Sequence, residues 1–259
     1  MSTTSGTSGT TTELDILKEA NRIMSTAAEN GITFRLLGGT AIAFRCPSSK
    51  RRGVARKYPD IDLVGYKKQS RQIRELFPKL GYSPHETFNA LRGGSRLMFF
   101  DLPNQRRVDI FLDSFEMCHK IDLKDRLTID PLTLTMTDLL ATKLQIFKTN
   151  EKDFKDIVAI LLDHEVADSE KPDAINGARL ADLCANDWGI YKTFTLVLDK
   201  TAVMLDKFEL TPQDKQVVKE RMDRIRQMIE NQPKTMGWKM RAKIGEKKAW
   251  YMLPDDMAE

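Results

Sequence analysis

Two aspartates separated by a single residue carry the strongest chemical signal in this sequence. Asp60 and Asp62 lie in the segment YPDIDLVG, where Ile61, Leu63 and Val64 give the apolar character of a short strand. Alternate side chains of a strand leave the same face, so both carboxylates point the same way, with Cα atoms roughly 6–7 Å apart. Carboxylates held this close repel each other unless a cation separates them, and Mg²⁺ prefers such oxygen ligands. The pattern therefore predicts a Mg²⁺ site.

A pair of glycines precedes the aspartates. Gly38 and Gly39 follow the apolar segment Leu36-Leu37 and stand before Thr40 and the helix-like AIAF. Adjacent glycines let a backbone approach a ligand closely, and exposed amides at a helix start attract phosphate. The Thr40 hydroxyl is expected either to contact a phosphate or to cap the helix. We therefore predict a phosphate-binding turn here.

A third carboxylate stands on a later predicted strand. Asp109 lies between Val108 and Ile110 in the segment RVDIFLD, and Asp113 at the strand end is a weaker candidate. A diglycine turn, two spaced aspartates and a third strand carboxylate together form a plausible two-metal site for phosphoryl or nucleotidyl transfer.

Helix and strand patterns alternate in the first half of the chain and become helical in the second. Strands are predicted at 34–37, 61–65, 96–102 and 107–112, and helices at 13–30, 40–44, 67–80, 136–148, 153–164, 175–187, 190–208 and 212–232. This order predicts an α/β (α+β) fold with a small mixed-sheet core and a helical C-terminal region. The predicted boundaries are a disordered tail at 1–12, a core at 13–130, a helical domain at 131–235 and a C-terminal hairpin or tail at 236–259.

Composition indicates a globular protein in a reducing compartment. Of the 259 residues, 30% are charged and 41% are apolar, and no apolar run reaches the length of a membrane span. The three cysteines, Cys46, Cys118 and Cys184, are widely spaced and odd in number, which favours the cytoplasm.

A basic segment, 47–57, precedes the aspartate pair within a net charge of +4. It is interpreted either as a loop for a polyanionic substrate or as a solvated basic loop, and Arg56 is a candidate phosphate contact.

Lys143 is the one charged residue in the apolar segment LLATKLQIF. Its ammonium group either reaches past the apolar surface to solvent or binds a triphosphate. Asp153 and Asp156 lie three residues apart on the next predicted helix and so share a face, where Asp156 is a candidate partner for Lys143.

These motifs, in this order, resemble the nucleotidyltransferase superfamily with its DNA polymerase beta-like fold, over residues 15–165. Within it, GGTAIA, DIDL and the later KDFKDI are most similar to the abortive-infection toxin (AbiEii-like) branch. One departure is the 20 residues between Gly39 and Asp60, which exceed the spacing of compact members.

The resemblance implies a Mg²⁺-dependent transfer of an NMP from an NTP to an acceptor hydroxyl. Asp60, Asp62 and Asp109 would hold two Mg²⁺ ions, and Asp109 would also help deprotonate the acceptor. Lys143 and the diglycine turn would hold the phosphates, with Asp156 supporting the site. The resemblance favours RNA, such as tRNA, or a protein as acceptor, and a toxin with a cognate antitoxin partner.

Three alternatives remain open. The acceptor is a small molecule such as an antibiotic, the chain is a non-catalytic nucleotide-binding module of the same fold, or it is a metal-dependent nuclease or phosphohydrolase. The last needs a water activator, and no histidine lies near the motifs.

Overall fold

A computed structural model describes residues 12–253, and it shows a mixed α/β fold with a helical C-terminal part. The strands are β1 (Phe34–Leu37), β2 (Ile61–Gly65), β3 (Ser83–Pro84), β4 (Arg96–Asp101), β5 (Arg106–Leu112), β6 (Ser114–Glu116), β7 (Lys120–Asp122), β8 (Val166–Ala167) and β9 (Ile175–Asn176). The helices are α1 (Ile16–Glu29), α2 (Gly38–Arg45), α3 (Ser70–Lys79), α4 (Glu86–Arg92), α5 (Met136–Leu144), α6 (Glu151–Asp163), α7 (Gly177–Asn186), α8 (Trp188–Leu205), α9 (Pro212–Asn231) and α10 (Met236–Ile244).

Five strands form the central sheet in the order β1-β2-β5-β4-β3. Strands β2 and β5 run parallel, and the other neighbouring pairs are antiparallel. The predicted mixed sheet is therefore confirmed. The parallel pair lies at the centre, where strands from distant parts of the chain meet.

One face of this sheet is apolar and packs against helices. The face includes Leu63 and Phe99, both fully buried. Phe77 of α3 stacks on Phe99 with ring centroids 4.5 Å apart and meets Phe34 of β1 edge to face at 6.2 Å. Helix α1 adds Ile23, also fully buried, so the two helices close this side of the core.

The opposite face carries the polar residues of the same strands, because side chains alternate along a strand. Asp62 of β2 and Arg107 and Asp109 of β5 project there, as does Arg96 of β4. One face is therefore mainly apolar, while the other combines these polar residues with buried apolar ones such as Val64 and Phe111.

The second half of the chain is mainly helical, as predicted. Helix α9 begins after Thr211, whose hydroxyl accepts a hydrogen bond from the amide of Asp214, and Pro212 occupies the first turn. A short parallel pair, β8 and β9, interrupts the helices and was not predicted.

The C-terminal hairpin predicted at 236–259 is wrong for the described residues, where 236–244 form helix α10. The helix begins because Thr235 accepts a hydrogen bond from the amide of Trp238. Aromatic residues of this region pack against α8, with Trp238 against Tyr191 and Trp250 against Trp188. Residues 254–259 lie outside the described residues.

Most of the tail predicted at 1–12 also lies outside the described residues. Thr12 is described, and its hydroxyl donates to the Asp101 carboxylate at 2.9 Å. Among residues 12–253, none of the helices has both the length and the apolar character needed to cross a bilayer.

We expect Phe77→Ala to lower the free energy of unfolding by about 3–5 kcal/mol, because it leaves a cavity among three other buried aromatic rings. Urea denaturation followed by circular dichroism measures this loss. Leu91→Ala, at a position 79% exposed, is the control and should change the free energy by less than about 0.5 kcal/mol. Equal effects of the two substitutions would contradict the assignment of Phe77 to the core.

Candidate active site

Asp62 and Asp109 are direct neighbours on the two parallel strands. Adjacent strands lie about 4.8 Å apart, and residues in register point to the same face, so the two carboxylates lie side by side. Asp60 precedes β2 and is linked to this group through Arg107, whose Nη2 lies 4.0 Å from the Asp60 Oδ2. The three carboxylates, predicted from two separate motifs, therefore lie close together on one face of the sheet.

The diglycine turn lies against Asp62. Leu37, the last residue of β1, pairs with Asp62 across the sheet. Gly38 follows with a φ of +62°, and a Cβ at this position would lie 2.0 Å from the Asp62 Oδ2. A Cβ at Gly39 would lie 2.6 Å from Arg56 Nη2. Only glycine permits this contact, so the start of α2 is held directly beside the carboxylate.

The Asp62 carboxylate lies in an environment that disfavours its negative charge. Burial, followed by the negative charge of Asp109, raises the pKa of Asp62 to about 7, and Asp60 adds to the effect. The positive charges of Lys143 and Arg96 act in the opposite direction. A carboxylate so crowded by like charge is a strong candidate for binding a cation.

Asp109 is already neutralised by two arginines. Arg96 Nη2 lies 2.8 Å from its Oδ1, and Arg107 Nε lies 2.8 Å from its Oδ2. The Arg96 guanidinium also lies 4.9 Å from the centre of the Phe111 ring. Asp109 itself is fully buried. The predicted third metal ligand is thus the centre of a buried ion-pair group.

Arg96 and Arg107 were missed by the sequence analysis. A signal was available, because the hairpin of β4 and β5 places Met98 opposite Asp109. Arg96 shares a strand face with Met98, so the register alone brings its guanidinium towards Asp109.

Lys143 and Asp156 form the pair that was expected. Lys143 Nζ lies 2.8 Å from Asp156 Oδ2 and 3.1 Å from Asp153 Oδ1. Arg56 donates to both oxygens of Asp156, at 2.7 and 2.6 Å. Burial pushes the pKa of Asp156 upward, but Lys143 and Arg56 outweigh it and hold the pKa below its ordinary value. For Lys143, burial acts to lower the pKa, and Asp156 and Asp153 raise it above its ordinary value.

Thr40 does not present its hydroxyl to a ligand in this structure. The residue is fully buried, and its Oγ1 donates to the carbonyl of Leu37 at 3.3 Å. The prediction that its side chain contacts phosphate or caps α2 is therefore not supported by its position. The glycine amides next to it remain the candidate phosphate contacts.

The basic segment 47–57 is attached to the helical half. Arg51 pairs with Asp214 at 2.6 Å and Arg52 with Glu209 at 2.6 Å. Lys50, Arg51, Arg52 and Lys57 are exposed, as the interpretation as a solvated basic loop expects, and the substrate-loop interpretation stays a prediction for this segment. Its last arginine, Arg56, is the one that reaches the candidate site.

The carboxylate oxygens of this site are suitable donors for Mg²⁺. Among residues 12–253, no three His, Cys, Asp or Glu side chains form a ready-made metal site. Mg²⁺ needs only one or two protein carboxylates when substrate phosphates and water complete its shell. Asp60 and Asp62 meet that requirement, and Asp109 meets it once an arginine releases one of its oxygens.

No protein-family profile and no curated protein matches this chain. Among solved structures, it is similar to the antibiotic-resistance factor ANT(2'')-Ia, with 13% identity, a TM-score of 0.38, and coverage of 55% of this chain and 80% of that one. It is also similar to the lincosamide antibiotic adenylyltransferase LnuA, described with lincomycin bound, with 16% identity, a TM-score of 0.37, and coverage of 55% and 94%. At this level of similarity, the function has to be inferred from the site itself.

We expect Lys143→Met to lower the free energy of unfolding by about 3–5 kcal/mol, because Asp153 loses its buried cation and Asp156 keeps only Arg56. Chemical denaturation measures this change. Lys152→Met on the exposed face of α6 is the matched control and should be nearly neutral. A Lys143→Met protein as stable as the control would show that the ion pairs do not hold α5 and α6 together.

The pKa of Asp62 predicts a pH-dependent stability. Because its value of about 7 lies above the ordinary 3.8, the folded protein keeps a proton that the unfolded chain loses, so stability falls as the pH rises from 3.8 to about 7. We expect the melting temperature of Asp62→Asn in EDTA to exceed that of the wild type by a margin that grows over this interval and reaches about 3 °C or more near pH 8. Differential scanning calorimetry of both proteins checks this, and parallel pH curves would contradict it.

Proposed function

We propose that this protein is a nucleotidyltransferase that moves an NMP from an NTP to an acceptor hydroxyl with the help of divalent cations. The observation that carries the proposal is the pairing of Asp62 with Asp109 on parallel strands, with Gly38 packed against Asp62. The carboxylate pair is suited to a cation, and the helix start beside it is suited to a chain of phosphates.

Asp60 and Asp62 are the proposed Mg²⁺ ligands, and Asp109 completes the set for two ions when Arg96 or Arg107 turns to the substrate. A Mg²⁺ ion held by these carboxylates would polarise the α-phosphate and stabilise the charge that develops on the attacking and leaving oxygens. The arginine that turns, Arg96 or Arg107, then pairs with anionic oxygens of the substrate in place of those of Asp109, so its positive charge stays compensated.

The remaining residues bind and orient the triphosphate. The amides of Gly38 and Gly39 face the phosphates, and Arg56 and Lys143 supply positive charge for the β- and γ-phosphates. Asp156 is a positioning residue, because its carboxylate holds the Arg56 guanidinium and the Lys143 ammonium group in place. The acceptor oxygen bonds to the α-phosphorus, the bond to the pyrophosphate oxygen breaks, and the acceptor proton passes to a carboxylate of the cluster, for which Asp109 is the candidate.

The acceptor is the second part of the proposal. The motifs GGTAIA, DIDL and KDFKDI favour a hydroxyl of RNA, such as a tRNA end, or of a protein, as in a toxin that a cognate antitoxin restrains. A hydroxyl of an antibiotic is the alternative acceptor class. The chemistry at the α-phosphate is the same in each case.

The two arginines on Asp109 favour a second candidate function. If Arg96 and Arg107 never leave the carboxylate, the site binds a nucleotide without transferring it, and the chain acts as a nucleotide-binding module. Incubation with Mg²⁺ and each α-labelled NTP, together with total RNA, the protein itself or an antibiotic panel, separates the two. Label transfer supports the enzyme, and NTP binding with no transfer to any acceptor supports the module.

We expect Asp62→Asn to reduce label transfer at least about a hundredfold, because the amide cannot replace a metal-binding carboxylate. Asp223→Asn, on the exposed face of α9, removes the same charge outside the site and should transfer label at the wild-type rate. Circular dichroism confirms that both variants are folded. Wild-type transfer by Asp62→Asn would contradict the proposed role of the carboxylate pair.

A further inference from the structure

A cavity of about 540 Å³ lies outside the carboxylate site, beneath the C-terminal segment. Its walls are formed by residues 118–120 at the start of β7, the first turn of α8, helix α10 and residues 248–252. None of the three acidic motif residues lines it. The volume is in the range of cavities that bind a small organic ligand.

The cavity is lined by large aromatic rings. Trp188, Trp238 and Trp250, the three tryptophans of the sequence, all contribute, together with Tyr251. Trp188 and Trp250 meet edge to face at 6.1 Å. The buried indole N–H groups of Trp238 and Trp250 find no acceptor among the described residues. Because these N–H groups are buried, a ligand in the cavity would contact the ring surfaces of this wall.

The charge of the cavity is positive. Lys120, Arg241 and Lys248 line it, and the single carboxylate of the lining, Asp187, already caps α8 by accepting two amide hydrogen bonds. The segment 234–248, which includes α10, carries six lysines and arginines against one glutamate. This surface favours an anionic ligand and disfavours a cationic one.

Arg241 contacts an aromatic ring of the cavity wall and adds positive charge beside it. Its guanidinium lies 4.7 Å from the ring centre of Trp188 and donates to the carbonyls of Gly245 and Lys248. It therefore fixes the segment that follows α10 over the cavity while keeping positive charge beside the rings.

We propose that this cavity binds a nucleotide, with the base against the tryptophan wall and the phosphate at Lys120 and Lys248. Planar bases stack on aromatic side chains without strong sequence preference, and neighbouring cations neutralise the phosphate. The proposed site is separate from the carboxylate cluster and holds whether or not that cluster transfers nucleotides. The same chemistry is presented by a free mononucleotide and by the 5′-phosphorylated end of a single strand.

Intrinsic fluorescence tests the proposal directly, because all three tryptophans of the chain line the cavity. Full-length protein is titrated in EDTA with AMP, adenosine and ribose 5-phosphate. We expect AMP to quench the emission to saturation with an affinity at least about tenfold above that of adenosine or ribose 5-phosphate, since each of these lacks one half of the recognised group. Equal responses to the three compounds, or no response to AMP or to a strand end, would overturn the proposal.

The source of the nucleotide is resolved by a second titration with 5′-phosphorylated hexa-adenylate. Tighter binding than that of AMP assigns the cavity to strand ends, and equal or weaker binding assigns it to free nucleotides. Both results require that the affinity fall with added salt, because the phosphate contact is ionic. A salt-independent response would overturn the phosphate assignment.

A matched pair of variants locates the binding. We expect Lys120→Gln combined with Lys248→Gln to weaken AMP binding about tenfold, because both proposed phosphate contacts are lost. Lys239→Gln combined with Lys243→Gln removes the same charge from exposed positions of α10 outside the lining and should bind like the wild type. Equal loss in both double variants would show a diffuse charge effect and overturn the assignment to the cavity.

Discussion

The repulsion between Asp62 and Asp109 on neighbouring parallel strands is the constraint on which the candidate site depends. Backbone pairing in the centre of the sheet fixes the two residues in register, so their side chains leave the same face side by side. Burial first, and then the negative charge of Asp109, raise the pKa of Asp62 to about 7. The surrounding structure supplies positive charge to this point from several elements.

Four basic side chains, in two groups, compensate the negative charge of the carboxylates. Arg96 and Arg107 come from the strands themselves and occupy Asp109. Lys143 and Arg56 come from α5 and from the segment before β2, and they are held by Asp156 of α6. The helical half therefore determines where two of the four basic side chains lie.

Features governed by local rules could be predicted from the sequence. The diglycine turn, the strand of Asp62 and the strand of Asp109 follow from apolar patterns and alternation, and they define the sheet face. Features governed by long-range partners were missed. Arg51 and Arg52 looked available for substrate, but their acidic partners, Asp214 and Glu209, lie more than 150 residues further along the chain. The segment of helix α10 was predicted as a hairpin or tail, because the contact of Trp238 with Tyr191 of α8 is not visible in the local sequence.

A crystal structure of the protein with Mn²⁺ and a non-hydrolysable NTP tests the central claim most directly, because anomalous scattering locates the ion. We predict Mn²⁺ within about 2.3 Å of an Asp62 carboxylate oxygen, triphosphate oxygens in the same coordination shell, and Asp109 released by at least one of its two arginines. An ion and nucleotide bound elsewhere, with Arg96 and Arg107 both still on Asp109, would contradict the account.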